Sequence, residues 1–167
     1  MGNYTNFETD FIERTITLIE QYTETVEERP FEQQLNYTLT LNCLLGLIVM
    51  PKERVVNLLP SVSLTSELKM QMGLNLSRLP GPPMTLDRLI IKMRHSIAHF
   101  SVETRSLTGE NLMDEIVFFD KRNGRKKNAY AIFSTAELLP FLKYYTNSLL
   151  TNLRHQPVHS PEPQGVQ

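Results

Sequence analysis

A single cysteine among 167 residues, Cys43, removes two possibilities at once. One thiol builds neither a disulfide framework nor a multi-cysteine zinc site, and it suits a reducing cytosol. Long apolar runs are also missing. The longest, Cys43–Pro51, is far short of the roughly 20 residues that cross a bilayer, so no membrane partner is expected. No charged-then-apolar leader opens the chain, which begins MGNYTNFETD, and the expected location is cytoplasmic. Only seven glycines are present and none forms a phosphate-cradling loop, so no cofactor is expected. An excess of basic residues is lacking too. The 17 Lys and Arg stand against 18 Asp and Glu, a formal net charge of −1, where a generic nucleic-acid binder is basic overall.

What remains is an ordinary globular composition, 41% hydrophobic and 21% charged. The length fits one domain, able to bury about two-thirds of its unfolded surface without a disulfide or metal staple. The charge is unevenly spread. Residues 1–33 carry eight acids (Glu8, Asp10, Glu13, Glu20, Glu24, Glu27, Glu28, Glu32) and two bases, Arg14 and Arg29, a balance of −6 that leaves +5 for the rest. The acids fit the solvated face of one helix, although such segregation can also create a local field that the total conceals.

Phe7–Glu27 places Phe11, Thr15, Leu18, Ile19, Tyr22 and Val26 at helical spacings. Pro30 is suited to the first residue of a second helix, which becomes apolar all round toward Met50 and stops at Pro51. Gly46 inside it points to close approach of a neighbour. Residues 52–59 and Leu64–Leu74 suit short helices, and Thr85–Thr104 a longer one with Thr85 as N-cap. The period then changes. Glu115–Asp120 (EIVFFD) and Ala129–Phe133 (AYAIF) read as strands around an Asn123-Gly124 turn, a hairpin over about 115–133. Ser134 with Glu137 resembles a capping box for a last helix, Leu138–Leu153. Pro140 there implies a kink or a helix that starts at it. One domain is expected over 1–153, with a disordered tail at 154–167.

The segment Leu86–Val102, LDRLIIKMRHSIAHFSV, carries the chemistry. At about 100° per residue, Leu86, Leu89, Ile90, Met93, Ile97 and Phe100 gather on one face, the expected core face. Ile91, His95, Ala98 and Val102 form a second stripe, at steps of four, three and four. A partner helix, such as the same helix of a second subunit, would cover it. Arg94 and His99 flank the stripe roughly 140° apart. That pair suits RNA cleavage by the RNA's own 2′-hydroxyl. Histidine moves protons near neutral pH, and the arginine fork matches phosphate oxygens. No metal is required. The alternative for the same residues is a surface ion pair for Arg94 and a partly buried polar role for His99.

Arg94-His95-Ser96-Ile97-Ala98-His99-Phe100 resembles the Arg-polar-x3-His signature of the HEPN superfamily (higher eukaryotes and prokaryotes nucleotide-binding domain). The context is similar as well: two amphipathic helices, a central apolar helix ending LLGLIVMPKER, and the motif late in the domain. The hairpin followed by STAELLPFLKYY resembles a plasmid-encoded HEPN subgroup. The resemblance implies a mainly α fold, an antiparallel helical bundle with a β-hairpin before the last helix. It also implies a homodimer with its site at the interface, formed here by Ile91, Ala98 and Val102. Arg94 and His99 would be the catalytic pair, with His95 assisting. The implied activity is metal-independent endoribonuclease, as a toxin or anti-phage effector with an antitoxin or regulatory protein as partner. The alternative within the family is an inactive dimer that binds RNA or protein.

Other constellations are weaker. His95-x3-His99 has the spacing of two metal ligands on one helical face, but Ser96 stands where a zinc protease needs glutamate, and no metal is expected. Lys121, Arg122, Arg125, Lys126 and Lys127 crowd the hairpin tip, as a solvated turn or an arm that tracks RNA phosphates. Cys43 reads as an inert core thiol.

Overall fold

A computed structural model describes residues 4–30, 33–51, 59–108, 112–120 and 128–155. The chain is mainly α. Helices α1 (Phe7–Val26), α2 (Asn36–Val49), α3 (Ser66–Gln71) and α4 (Leu86–Ala98) precede strands β1 (Val102–Arg105), β2 (Glu115–Asp120) and β3 (Asn128–Ser134). A 3-10 turn, Thr135–Glu137, leads into α5 (Leu138–Arg154). Among the described residues, no helix is long and apolar enough to cross a membrane.

Asn6 caps α1, its side-chain oxygen accepting from the Glu8 and Thr9 N–H groups, and Glu8 and Asp10 complement the positive helix start. The helix buries Ile12, Ile19 and Val26, one residue every seventh position. Leu18, expected on that face, is exposed, and Ile12 takes the inward position instead. Helix α2 starts at Asn36 and not at Pro30. Its end just before Pro51 agrees with the sequence. Cys43, Leu44, Leu47 and Ile48 are buried, and burial pushes the Cys43 thiol up, in keeping with an unreactive core residue. Close approach at Gly46 is not observed. A Cβ there would lie 3.7 Å from the Phe11 ring, ordinary contact.

The expected two-stranded hairpin is part of a three-stranded antiparallel sheet in the order β1-β2-β3. Strand β2 is central and buried from Glu115 to Phe119, which is why EIVFFD runs apolar without alternation. Its Phe118 packs edge-on against Phe133, and Phe133 against Phe141 of α5. The expectation of a helix reaching Thr104 is corrected by β1: α4 stops at Ala98, and Val102 pairs with Phe118. Val102 therefore leaves the helical stripe assigned to it. Its branched neighbourhood, Val102 and Thr104, gains more from ladder bonds and sheet packing than from another helical turn.

The expected capping box is also absent. Ser134 makes no side-chain cap bond, while the Glu137 carboxylate accepts from the N–H groups of Asn75, Leu76 and Ser77 and from Ser77 Oγ, all at 2.7–2.9 Å. Burial would raise this carboxyl, but the Ser77 hydroxyl and the three backbone donors outweigh it and hold Glu137 below its ordinary value. Pro140 lies in the first turn of α5, where its missing N–H has no helical acceptor in any case. Residues 52–58, the basic turn Lys121, Arg122, Arg125, Lys126 and Lys127, and the tail from residue 156 lie outside the described residues.

Candidate active site

Helix α4 turns Leu86, Leu89, Ile90 and Met93 into the core, and Ser96 with them. Ser96 is the polar member of that face, and it is fully used. Its Oγ donates to one of two carbonyls within reach, Lys92 at 3.1 Å and Phe119 at 3.0 Å, and shares a 2.9 Å hydrogen bond with the Tyr130 hydroxyl. This cluster locks the second half of α4 to β2 and β3. Burial first, with the Asp120 charge adding and the Ser96 bond opposing, pushes the Tyr130 phenol up to about 12. It remains a neutral hydrogen-bonding group at any ordinary pH.

Around this anchor a surface concavity of about 270 Å³ opens, lined by Lys92, His95, Ser96, His99, Phe119 and Asp120. The two histidines stand one turn apart and both are exposed. The Lys92 ammonium is 2.9 Å from the Asp120 carboxylate and lies 4.4 Å from the centroid of the Tyr130 ring. The concavity thus combines a positioned cation, two groups of the residue type that exchanges protons near neutral pH, and one carboxylate. Proton transfer beside an anionic ligand is within its means. Among the described residues no cluster of three or more His, Cys, Asp or Glu is arranged to hold a metal ion.

Arg94 is not part of that lining. It is half-buried on another side of α4, and its Nη1 donates to the Pro51 carbonyl at 2.7 Å, just past the end of α2. Its charge also opposes the effect of burial on Tyr145, whose phenol is pushed well up inside the core. Within one chain the fold therefore brings His95 and His99 together and leaves Arg94 apart. Ile91 and Ala98 remain exposed on α4, as a helical stripe requires, while Val102 belongs to β1. Lys92 and Asp120 were missed in the sequence. Lys92 looks like one more surface base, and only the pairing of α4 with β2 puts Asp120 beside it, 28 positions away. A larger hollow of about 480 Å³ holds no histidine, and its Arg78 is already paired with Glu115 at 2.7 Å.

A family model described as HEPN pEK499 p136 matches residues 1–156. No curated protein and no solved structure matches the chain.

Proposed function

The chain belongs to the HEPN pEK499 p136 family, and on that premise we propose a metal-independent endoribonuclease that works as a homodimer. The carrying observation is the pair of exposed imidazoles, His95 and His99, sharing one concavity with an ammonium group. In the reaction, one imidazole takes the proton of an RNA 2′-hydroxyl as that oxygen attacks phosphorus. The other protonates the departing 5′-oxygen, and a fixed cation offsets the charge that grows on the phosphate. The products carry 2′,3′-cyclic phosphate and 5′-hydroxyl ends. The two imidazoles are assigned to His99 of the two protomers, with His95 assisting and Arg94 holding the scissile phosphate. Because Arg94 is absent from the concavity of its own chain, the homodimer is part of the reading. The two-fold pairing, with Ile91 and Ala98 in its interface, is assigned the task of bringing Arg94 of one protomer to the site of the other.

Incubation of purified protein with RNA and chelator, followed by analysis of the ends, tests this. Wild type should cut, and His99→Ala should lose at least about a hundredfold in rate, the contribution typical of a general acid/base. Equal cleavage by His99→Ala overturns the assignment. RNA is the proposed substrate, and a toxin or anti-phage role with an antitoxin or regulatory partner is the biological setting. The bond from Arg94 to the Pro51 carbonyl favours a second reading, a non-cleaving dimer that binds RNA or a protein. Retained RNA binding with no cleavage in any of these assays would select it.

A further inference from the structure

Helix α4 closes in a Schellman motif. The Ser101 N–H donates to the Ser96 carbonyl at 2.7 Å and the Phe100 N–H to the Ile97 carbonyl at 3.0 Å, which puts Phe100 at the position that turns left-handed. Its φ is +50°. Glycine normally occupies this position because a Cβ is disfavoured there, and Gly73 does so at the end of α3, with φ +74°. The phenyl ring gains nothing by burial, since Phe100 is 93% exposed. Yet the backbone is firmly held. Ser101 is buried, its Oγ donates to the His99 carbonyl at 3.3 Å, and its carbonyl accepts the Phe119 N–H at 3.0 Å. An unfavourable backbone that presents an aromatic ring to water, fixed by its surroundings, is the mark of a functional position.

The neighbours of Phe100 indicate what would stack on it. The residue before it, His99, lines the concavity with Lys92 and His95. An ammonium has three N–H donors, and the Asp120 bond uses one. A cation and two imidazoles suit one phosphodiester, and a flat ring next in the chain suits a base. Phosphate and base alternate in the same way along a single strand.

We propose that Lys92, His95, His99 and Phe100 form one nucleotide subsite, in which Lys92 is the cation for an RNA phosphate and Phe100 stacks on the adjoining base. The inference rests on the ribonuclease reading for its ligand, but not on cleavage. Lys92 acts where Arg94 of the same chain does not reach.

The test is binding of a fluorescent 2′-O-methyl RNA oligonucleotide, which lacks the attacking hydroxyl. Phe100→Gly should weaken binding about tenfold, the size of one base–aromatic stack. The same variant should unfold at the wild-type temperature or above, because glycine accepts the left-handed backbone. Phe100→Trp should keep the affinity. Lys92→Met should weaken binding and reduce its salt dependence by roughly one phosphate contact. Wild-type affinity in Phe100→Gly and Lys92→Met overturns the subsite, as does failure of the wild type to bind. Loss of a dimer in Phe100→Gly, with affinity per protomer unchanged, assigns the ring to a subunit contact and also overturns it. Binding that needs Phe100 and Lys92 in a protein that cuts no RNA retires the ribonuclease reading and keeps the subsite. His99-dependent cleavage that is indifferent to both variants does the reverse.

Discussion

Gly73 and Phe100 occupy the same position of the same helix-ending motif and obey different constraints. At Gly73 a Cβ would stand 2.6 Å from Pro140 Cβ, on a backbone with φ +74°. Gly73→Ala is therefore expected to destabilise the protein by about 2 kcal/mol, combining left-handed strain with a clash against the Pro140 ring at the start of α5. Denaturant titration measures it, and a loss below about half a kcal/mol would show that α5 yields at Pro140. No such contact governs Phe100, where strain and exposure coincide. The helix expected over Leu64–Leu74 runs through Gly73, whereas the observed one stops at Gln71 and turns left-handed at that glycine. Phe100 is not readable in the sequence either. On a helical wheel it falls with the core residues, and its outward direction follows only from the helix ending at Ala98.

At the scale of elements, Glu137 ties two of them to a loop. It precedes α5, follows β3, and holds the backbone of residues 75–77 with its carboxylate. Its folded pKa lies below its unfolded one, so the stabilisation is complete above the ordinary glutamate range near 4.3 and is lost as pH falls through the depressed value. Glu137→Gln should lower stability by about 2 kcal/mol at neutral pH, since buried donors lose a charged acceptor. Unfolding measured from pH 7 to pH 3 should show the gap between wild type and variant closing toward the acid end. A gap that stays constant would mean that the carboxylate's charge is not what matters. The sequence offered Ser134-x2-Glu137 as a local cap, and that cap does not form. The carboxylate's partners instead lie about 60 positions earlier, because a carboxylate takes the densest set of N–H donors that folding presents.

For the whole molecule, the acidic start of the chain is answered in part within the chain. Glu13 and Glu20 of α1 pair with Arg154 and Lys143 of α5, at 2.6 and 2.7 Å. Such exposed bridges add little stability, but they withdraw two bases from any anionic ligand. Lys92 of α4 keeps its place beside the two histidines of the concavity. The proposed homodimer gives a prediction at this scale. Ile91 is 39% exposed, so Ile91→Glu should leave folding stability within about 0.5 kcal/mol. It should convert a dimer to a monomer in light scattering and abolish RNA cleavage with it. A dimer that persists with full activity would place the interface elsewhere.

What the sequence determined is local and periodic. The helices α1, α2, α4 and α5, the strand character of EIVFFD and AYAIF, and the burial of Cys43 all follow from spacings of a few residues. So does the presence of Arg94, His95 and His99 on one short stretch. The tertiary structure decided where α4 stops, because Val102 pairs with Phe118. It decided which cation joins the histidines, because Asp120 and Tyr130 hold Lys92 beside them while the Pro51 carbonyl holds Arg94 away. Those outcomes depend on contacts between residues 16 to 43 positions apart. No local period encodes such contacts, since each is a competition between partners that meet only when the chain is folded.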